Sequence, residues 1–130
     1  MRLSIDLIQA DVLDGLKSLP SNSVHCVVTS PPYQGLRDYG VEGQIGQEST
    51  LEQFITRLVY VFREVRRVLH PSGTIWVNMG DSYNGTRTRG SYGDQSTKGY
   101  EPHGVIRAKS LPGLHSKNLV GQPWRVAFAL

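Results

Sequence analysis

The sequence has little cysteine, fewer acidic than basic residues and no long apolar run, and each shortage excludes something. The single cysteine, Cys26, rules out an intrachain disulfide and fits a reducing, cytoplasmic setting. No apolar stretch approaches the ~20 residues that span a bilayer. Met1-Arg2-Leu3 leads into a mixed segment with Asp6 and Asp11, which is not a signal peptide. His25, His70, His103 and His115 show no metal-ligand spacing and the cysteine adds none, so no metal is expected. Gly40, Gly43 and Gly46 do not follow a strand, so they serve a turn and not a phosphate cradle.

What remains is modest in size and mildly basic. A chain of 130 residues suits one small domain or part of a larger one. The formal charge of +3 and a pI near 9.2 favour an anionic partner such as nucleic acid.

Periodicity sets out the elements. "LSIDLIQAD" reads as a short strand ending near Asp11, which is placed to cap a helix over 12–19. "SVHCVVTS" is a continuous β-branched run, as in a strand covered on both faces, with Cys26 a small core residue. A helix follows over 51–69, with Ser49 and Glu52 as a capping box. Its apolar stripe is Leu51, Phe54, Ile55, Leu58, Phe62, Val65 and Leu69. Arg63, Arg66 and Arg67 form a solvated helix end. His70-Pro71-Ser72-Gly73 stops that helix, and "TIWVNMG" reads as another buried strand, with Trp76 and Trp124 as packing residues. "NLVGQPWRVAFAL" begins a last helix with Pro123 in its first turn.

This order predicts an α/β fold with a partial, mostly parallel sheet. In such sheets ligands sit beyond the carboxyl ends of strands, where Asp11, Ser30 to Tyr33 and Asp81 all fall. Residues 82–117 lose the pattern. Arg87, Arg89, Lys98, Arg107, Lys109 and Lys117 stand there against only Asp94 and Glu101, which predicts a long, mobile basic loop suited to phosphate.

The stretch Ser30-Pro31-Pro32-Tyr33 has its own chemistry. Neither proline donates a hydrogen bond, so the Pro31 carbonyl and the Ser30 hydroxyl offer acceptors, and Tyr33 adds a flat face. A planar ring with an exocyclic amino group suits this set: the ring stacks and the amino hydrogens are accepted. Accepting them draws the nitrogen lone pair out of conjugation and makes the nitrogen more nucleophilic. A WW-domain ligand is the bland alternative, but that mode needs another spacing and exposure. Cys26 does not stand after a proline at a strand end, so it is not placed as the nucleophile of a carbon-5 cytosine methylase.

"TSPPY", with "QADVLDGLKSLPSNSVHCVV" before it and "GLRDYG", "GQIGQE", "FREVRRVLHPSGTIWVNMGDSY" and "KNLVGQPWRVAFAL" after it, resembles the amino-methylating DNA methyltransferases of the permuted β group. The resemblance implies a Rossmann-like domain and S-adenosyl-L-methionine as cofactor. It implies double-stranded DNA as partner and methylation of cytosine N4 or adenine N6 on a flipped base. It matches Ser30, Pro31, Pro32 and Tyr33 to the catalytic tetrad, and Asp11, with Ser30, to cofactor contacts. Arg87, Arg89, Lys98, Arg107 and Lys109 are then candidate DNA contacts. Ser at position 30 favours cytosine N4 over adenine N6. Gln34 stands where the family usually carries Trp, and the family's Phe-x-Gly-x-Gly-like cofactor turn and most of its target-recognition region have no counterpart. The expectation is therefore the N-terminal portion of such an enzyme, inactive alone. Glutamine-N5 methylation and an inactive DNA-binding fragment are the rival readings. Asp81, in "GDSY", receives no role from the resemblance.

Overall fold

The computed structural model describes residues 4–36, 38–85 and 111–130. The expected basic-loop residues Arg87, Arg89, Lys98, Arg107 and Lys109 lie outside them. In chain order the elements are α1 (Val12–Lys17), β1 (Val24–Thr29), α2 (Leu51–Val68), β2 (Leu69–Val77) and α3 (Gln122–Ala129).

The α/β expectation holds: β1 and β2 pair in parallel, with α2 as the crossover between them. Among the described residues the sheet has two strands and not three. The expected first strand is absent: no residue from 4 to 9 joins a ladder, and Ile5 and Leu7 are 88% and 94% exposed. An alternating sequence cannot make a strand without a neighbour to accept its hydrogen bonds.

Helix α2 organises the interior. Leu51, Phe54, Leu58, Phe62, Val65 and Val68 are buried along one face, and all but Val68 join one cluster with Val120 and Val126 from the C-terminal part. Each such side chain contributes ~1.5–3 kcal/mol by leaving water. The stripe ends on Val68, because Leu69 already begins β2. The cap also differs by one residue from expectation. Thr50 is the N-cap and accepts the Gln53 N–H at 3.2 Å, while the Ser49 hydroxyl donates to the Gln53 side chain at 2.7 Å. Thr50 therefore caps the helix in place of Ser49.

At the other end of α2, Arg67 is no solvated cation. Its guanidinium donates to the Leu16 carbonyl at 2.8 Å, to the Leu19 carbonyl at 3.1 Å and to the Ser21 hydroxyl at 3.2 Å, and it pairs with Glu64 at 2.8 Å. It satisfies carbonyls at the end of α1 and fixes the turn into β1.

His70 to Gly73 stop the helix as expected, yet they belong to β2. Partners run from Val24↔Leu69 to Cys26↔Thr74, so the extra residues bulge opposite His25. The His25 and His70 rings stack there at 4.7 Å. A side chain at Gly73 would meet the His70 carbonyl at 2.9 Å, which accounts for the glycine.

The strands are not covered on both faces. Cys26 is exposed, Val28 is 77% exposed, and Trp76 and Trp124 are 66% and 69% exposed. The expectations of a core cysteine and two packing tryptophans are therefore corrected. The described residues supply cover for the face of α2 but little for the sheet.

Candidate functional site

The carboxyl end of β1 and the continuation of β2 run side by side. Thr29 pairs with Val77, and the Asn78 N–H donates to the Thr29 carbonyl at 2.9 Å. The ladder stops there because Pro31 and Pro32 have no N–H to offer. The chain turns away at Ser30, and the residues after β2 pass the corner. A side chain on Gly80 would lie 3.4–3.5 Å from the Tyr33 ring, so the bare backbone at position 80 flanks the half-buried ring.

Two clefts meet at this corner. One, of about 250 Å³, is lined by Ser30, Pro31, Pro32, Tyr33, Leu36 and Tyr39. The other, of about 530 Å³, runs between α1, β1 and α2. Asp11 and Ser30 both line it, with an apolar wall of Leu16, Val27, Ile45, Leu58 and Phe62 among others. Ser30, Pro31 and Pro32 belong to both clefts. Among the described residues, Asp11 and Ser30 to Tyr33 border these adjoining clefts, and Asp81 does not.

The exception is Asp81. Its carboxylate accepts the Gly121 N–H at 2.9 Å and the Gln122 N–H at 3.0 Å, and so caps α3 from a distance. Gly121 gives that helix no side-chain cap of its own, and this lack is the signal that a borrowed acceptor was needed. Asp11 does cap α1: its Oδ1 accepts the Leu13 N–H at 2.9 Å. It remains exposed in the larger cleft, so a second partner can reach it.

Sequence reasoning missed Leu36 and Tyr39 in the smaller cleft. It placed Gly40, Gly43 and Gly46 in a turn, and all three have positive φ. Asp38 lies in the same loop; the Gly40 N–H donates to its carboxylate at 2.7 Å and holds its pKa below the ordinary 3.8.

The larger cleft lies within the ~300–1,000 Å³ of small-molecule sites, and the smaller falls below it, at the scale of a ring. An apolar trough ending in a carboxylate fits a nucleoside-bearing cofactor with ribose hydroxyls to donate. The described residues contain no group of histidine, cysteine and carboxylate side chains fit to hold a metal ion.

The chain is an α/β unit whose proline corner, at a strand's carboxyl end, is shared by two clefts, and ligands of parallel sheets sit at such ends. More particularly, the chain belongs to the N6/N4 DNA methylase family, whose model, described as DNA methylase, matches residues 24–119. It is 49% identical over 126 residues to the Type II methyltransferase M.Cfr9I of Citrobacter freundii, covering 95% of this chain and 41% of that protein. It is 51% identical to the Type II methyltransferase M.XycI of Xanthomonas campestris pv. cyanopsidis, with the same coverage. It is 46% identical to M.SmaI of Serratia marcescens over 98% of this chain and 43% of that protein. The chain thus spans about two fifths of the length of these relatives.

Proposed function

We propose that the chain is the N-terminal part of an S-adenosylmethionine-dependent DNA methyltransferase with a Rossmann-like catalytic domain. It methylates the exocyclic amino nitrogen of a flipped base in double-stranded DNA, cytosine N4 in preference to adenine N6. The relatives named Type II methyltransferases suggest a restriction–modification setting.

The observation that carries this reading is that Ser30, Pro31 and Pro32 line both clefts. A donor in the larger cleft and a base in the smaller one would meet at those residues. S-adenosylmethionine would supply an electrophilic methyl group there. Asp11 offers a carboxylate to its hydroxyls, and Ser30 borders it as well. On the other side, the Ser30 hydroxyl and the Pro31 carbonyl accept the amino hydrogens of the base. The nitrogen lone pair is thereby freed for attack. Tyr33, braced by Gly80, stacks on the ring and fixes its angle. The chain's contribution is then mostly orientation and acceptor hydrogen bonds. The base has to leave the duplex, because its amino group is unreachable in the stack. Arg87, Arg89, Lys98, Arg107 and Lys109 are proposed phosphate contacts on composition alone.

Cytosine N4 is put first on Ser30, because the resembled family carries serine there more often for cytosine and Asp or Asn for adenine. The exposed sheet favours one second reading, that the 130-residue chain by itself is inactive. Sequencing the modified bases in DNA from cells expressing the complete gene tests the proposal. N4-methylcytosine at one short sequence is expected. N6-methyladenine would select the alternative base, and the absence of both would overturn the reading.

A further inference from the structure

Tyr33 is braced from behind as well as by Gly80. Position 46 has φ +102°, and a side chain there would lie 2.9 Å from the Tyr33 carbonyl and 3.5 Å from Pro32 Cβ. The Gly46 carbonyl accepts the Gly35 N–H at 2.7 Å, and both glycines are buried. The proline corner therefore leans on Gly46. Gly46 is held in turn by Glu48, whose Oε2 accepts its N–H at 2.8 Å. The other oxygen of Glu48 takes Arg57 Nη1 at 3.3 Å, and Arg57 Nη2 donates to the Gly43 carbonyl. Arg57 stands on α2 between the buried Phe54 and Leu58. A continuous path thus runs from the best-packed helix to the corner.

We propose that Glu48 and Arg57 are positioning residues for methyl transfer, clamping the turn at Gly43 and Gly46 against the backbone of Pro32 to Gly35. This rests on reading Ser30 to Tyr33 as the transfer site. The clamp answers a specific difficulty. Gly35, Gly40, Gly43 and Gly46 all have positive φ, and glycine-rich backbone is costly to order. The Glu48 side chain is only 9% exposed, so it lies in the interior and Arg57 is its counter-charge. Arg57 itself is 42% exposed, so water screens the pair from its side and the value of the contact lies in where it holds Gly46. A displacement of about 1 Å at a reacting centre can cost ~10²-fold in rate.

The test uses the complete enzyme. Arg57→Ala and Glu48→Ala should lower kcat about 10–100-fold and leave KM for S-adenosylmethionine within about twofold. Glu48→Gln, which keeps an acceptor for the Gly46 N–H, should recover much of the loss. Hydrogen exchange should quicken in peptides covering Tyr33–Leu36 and Gln44–Gln47 and stay unchanged along α2. A kcat unchanged per folded molecule would overturn the proposal, as would faster exchange spread evenly over α2. If the wild-type enzyme transfers no methyl group, the methyltransferase reading itself has failed. The exchange arm then decides alone: acceleration confined to the corner upholds the clamp, and no acceleration there refutes it.

Discussion

Along α2, Leu51, Phe54, Leu58, Phe62, Val65 and Val68 are buried, whereas along β1 and β2 Val28, Ile75, Trp76 and Val77 face solvent. The two regions carry similar side chains, so composition does not explain the contrast. A helix needs cover on one stripe, and nearby segments supply it: Leu16 from α1, Val120 and Val126 from the C-terminal part. A parallel sheet needs cover on both faces and neighbours on both edges. Here α2 covers part of one face, and β1 and β2 have only each other among the described residues. Stability is therefore concentrated on the helix, and the proline corner is built where helix and sheet meet.

The sharpest break of this contrast is Phe54→Ala. It removes a fully buried ring from α2, and the expected loss is ~3–5 kcal/mol, enough to unfold a marginal chain. Trp76→Ser in the same chain should change stability by no more than ~1 kcal/mol, because the residue is already 66% exposed. Urea unfolding of the two variants compares them directly. In the complete enzyme Trp76→Ser should become costly, if the rest of the protein covers the sheet. An equal, small effect in both contexts would show that this face is never covered.

A smaller effect separates packing from capping. Asp81→Ala should cost about 1 kcal/mol by leaving the first N–H groups of α3 without acceptors. Exchange at Gly121 and Gln122 should rise, with methyl transfer lowered only as far as folding is. A large loss of kcat at full folding would give Asp81 a role that its hydrogen bonds do not suggest.

The smallest effect concerns pH. Asp38 has its pKa lowered in the fold, chiefly by the Gly40 N–H. A depressed folded pKa contributes stability above the unfolded value, and that contribution fades as pH falls through the folded one. The turn at 38–40 should therefore loosen only below about pH 3.8. Asp38 is only half-buried in a surface loop, so the global unfolding midpoint should hardly respond. Amide chemical shifts of Gly40 followed through acid titration would register it; a Gly40 transition well above the ordinary carboxylate range would contradict the assignment.

Much of this could be read in the sequence because it rests on local chemistry. The stripe from Leu51 to Val65, the proline at the start of α3 and the corner at Ser30 to Tyr33 all depend on residues close in sequence. The family is carried by the same short motifs. What could not be read depends on partners far along the chain. Arg67 finds its acceptors around residues 16–21, Asp81 caps a helix forty residues later, and Glu48 reaches Arg57 only once α2 forms. The strand expected over "LSIDLIQAD" failed for a related reason: alternation marks a segment able to pair, and pairing needs a neighbour in space.

Two clefts are divided by one corner, and paired variants of the complete enzyme test that division most directly. Asp11→Asn keeps a capping side chain for α1 while weakening the acceptor in the larger cleft. Tyr33→Ala removes the stacking face of the smaller one, worth ~1–3 kcal/mol per base, or roughly 5–150-fold in rate. Cofactor affinity by calorimetry and single-turnover methyl transfer at saturating cofactor should be measured on the same preparations. The predicted result is a crossed pattern: Asp11→Asn weakens cofactor binding and spares the saturated rate, and Tyr33→Ala slows transfer and spares cofactor binding. If both variants move the same quantity, or if Tyr33→Ala loses cofactor affinity with its transfer rate intact, the division of labour at Ser30 to Tyr33 is wrong.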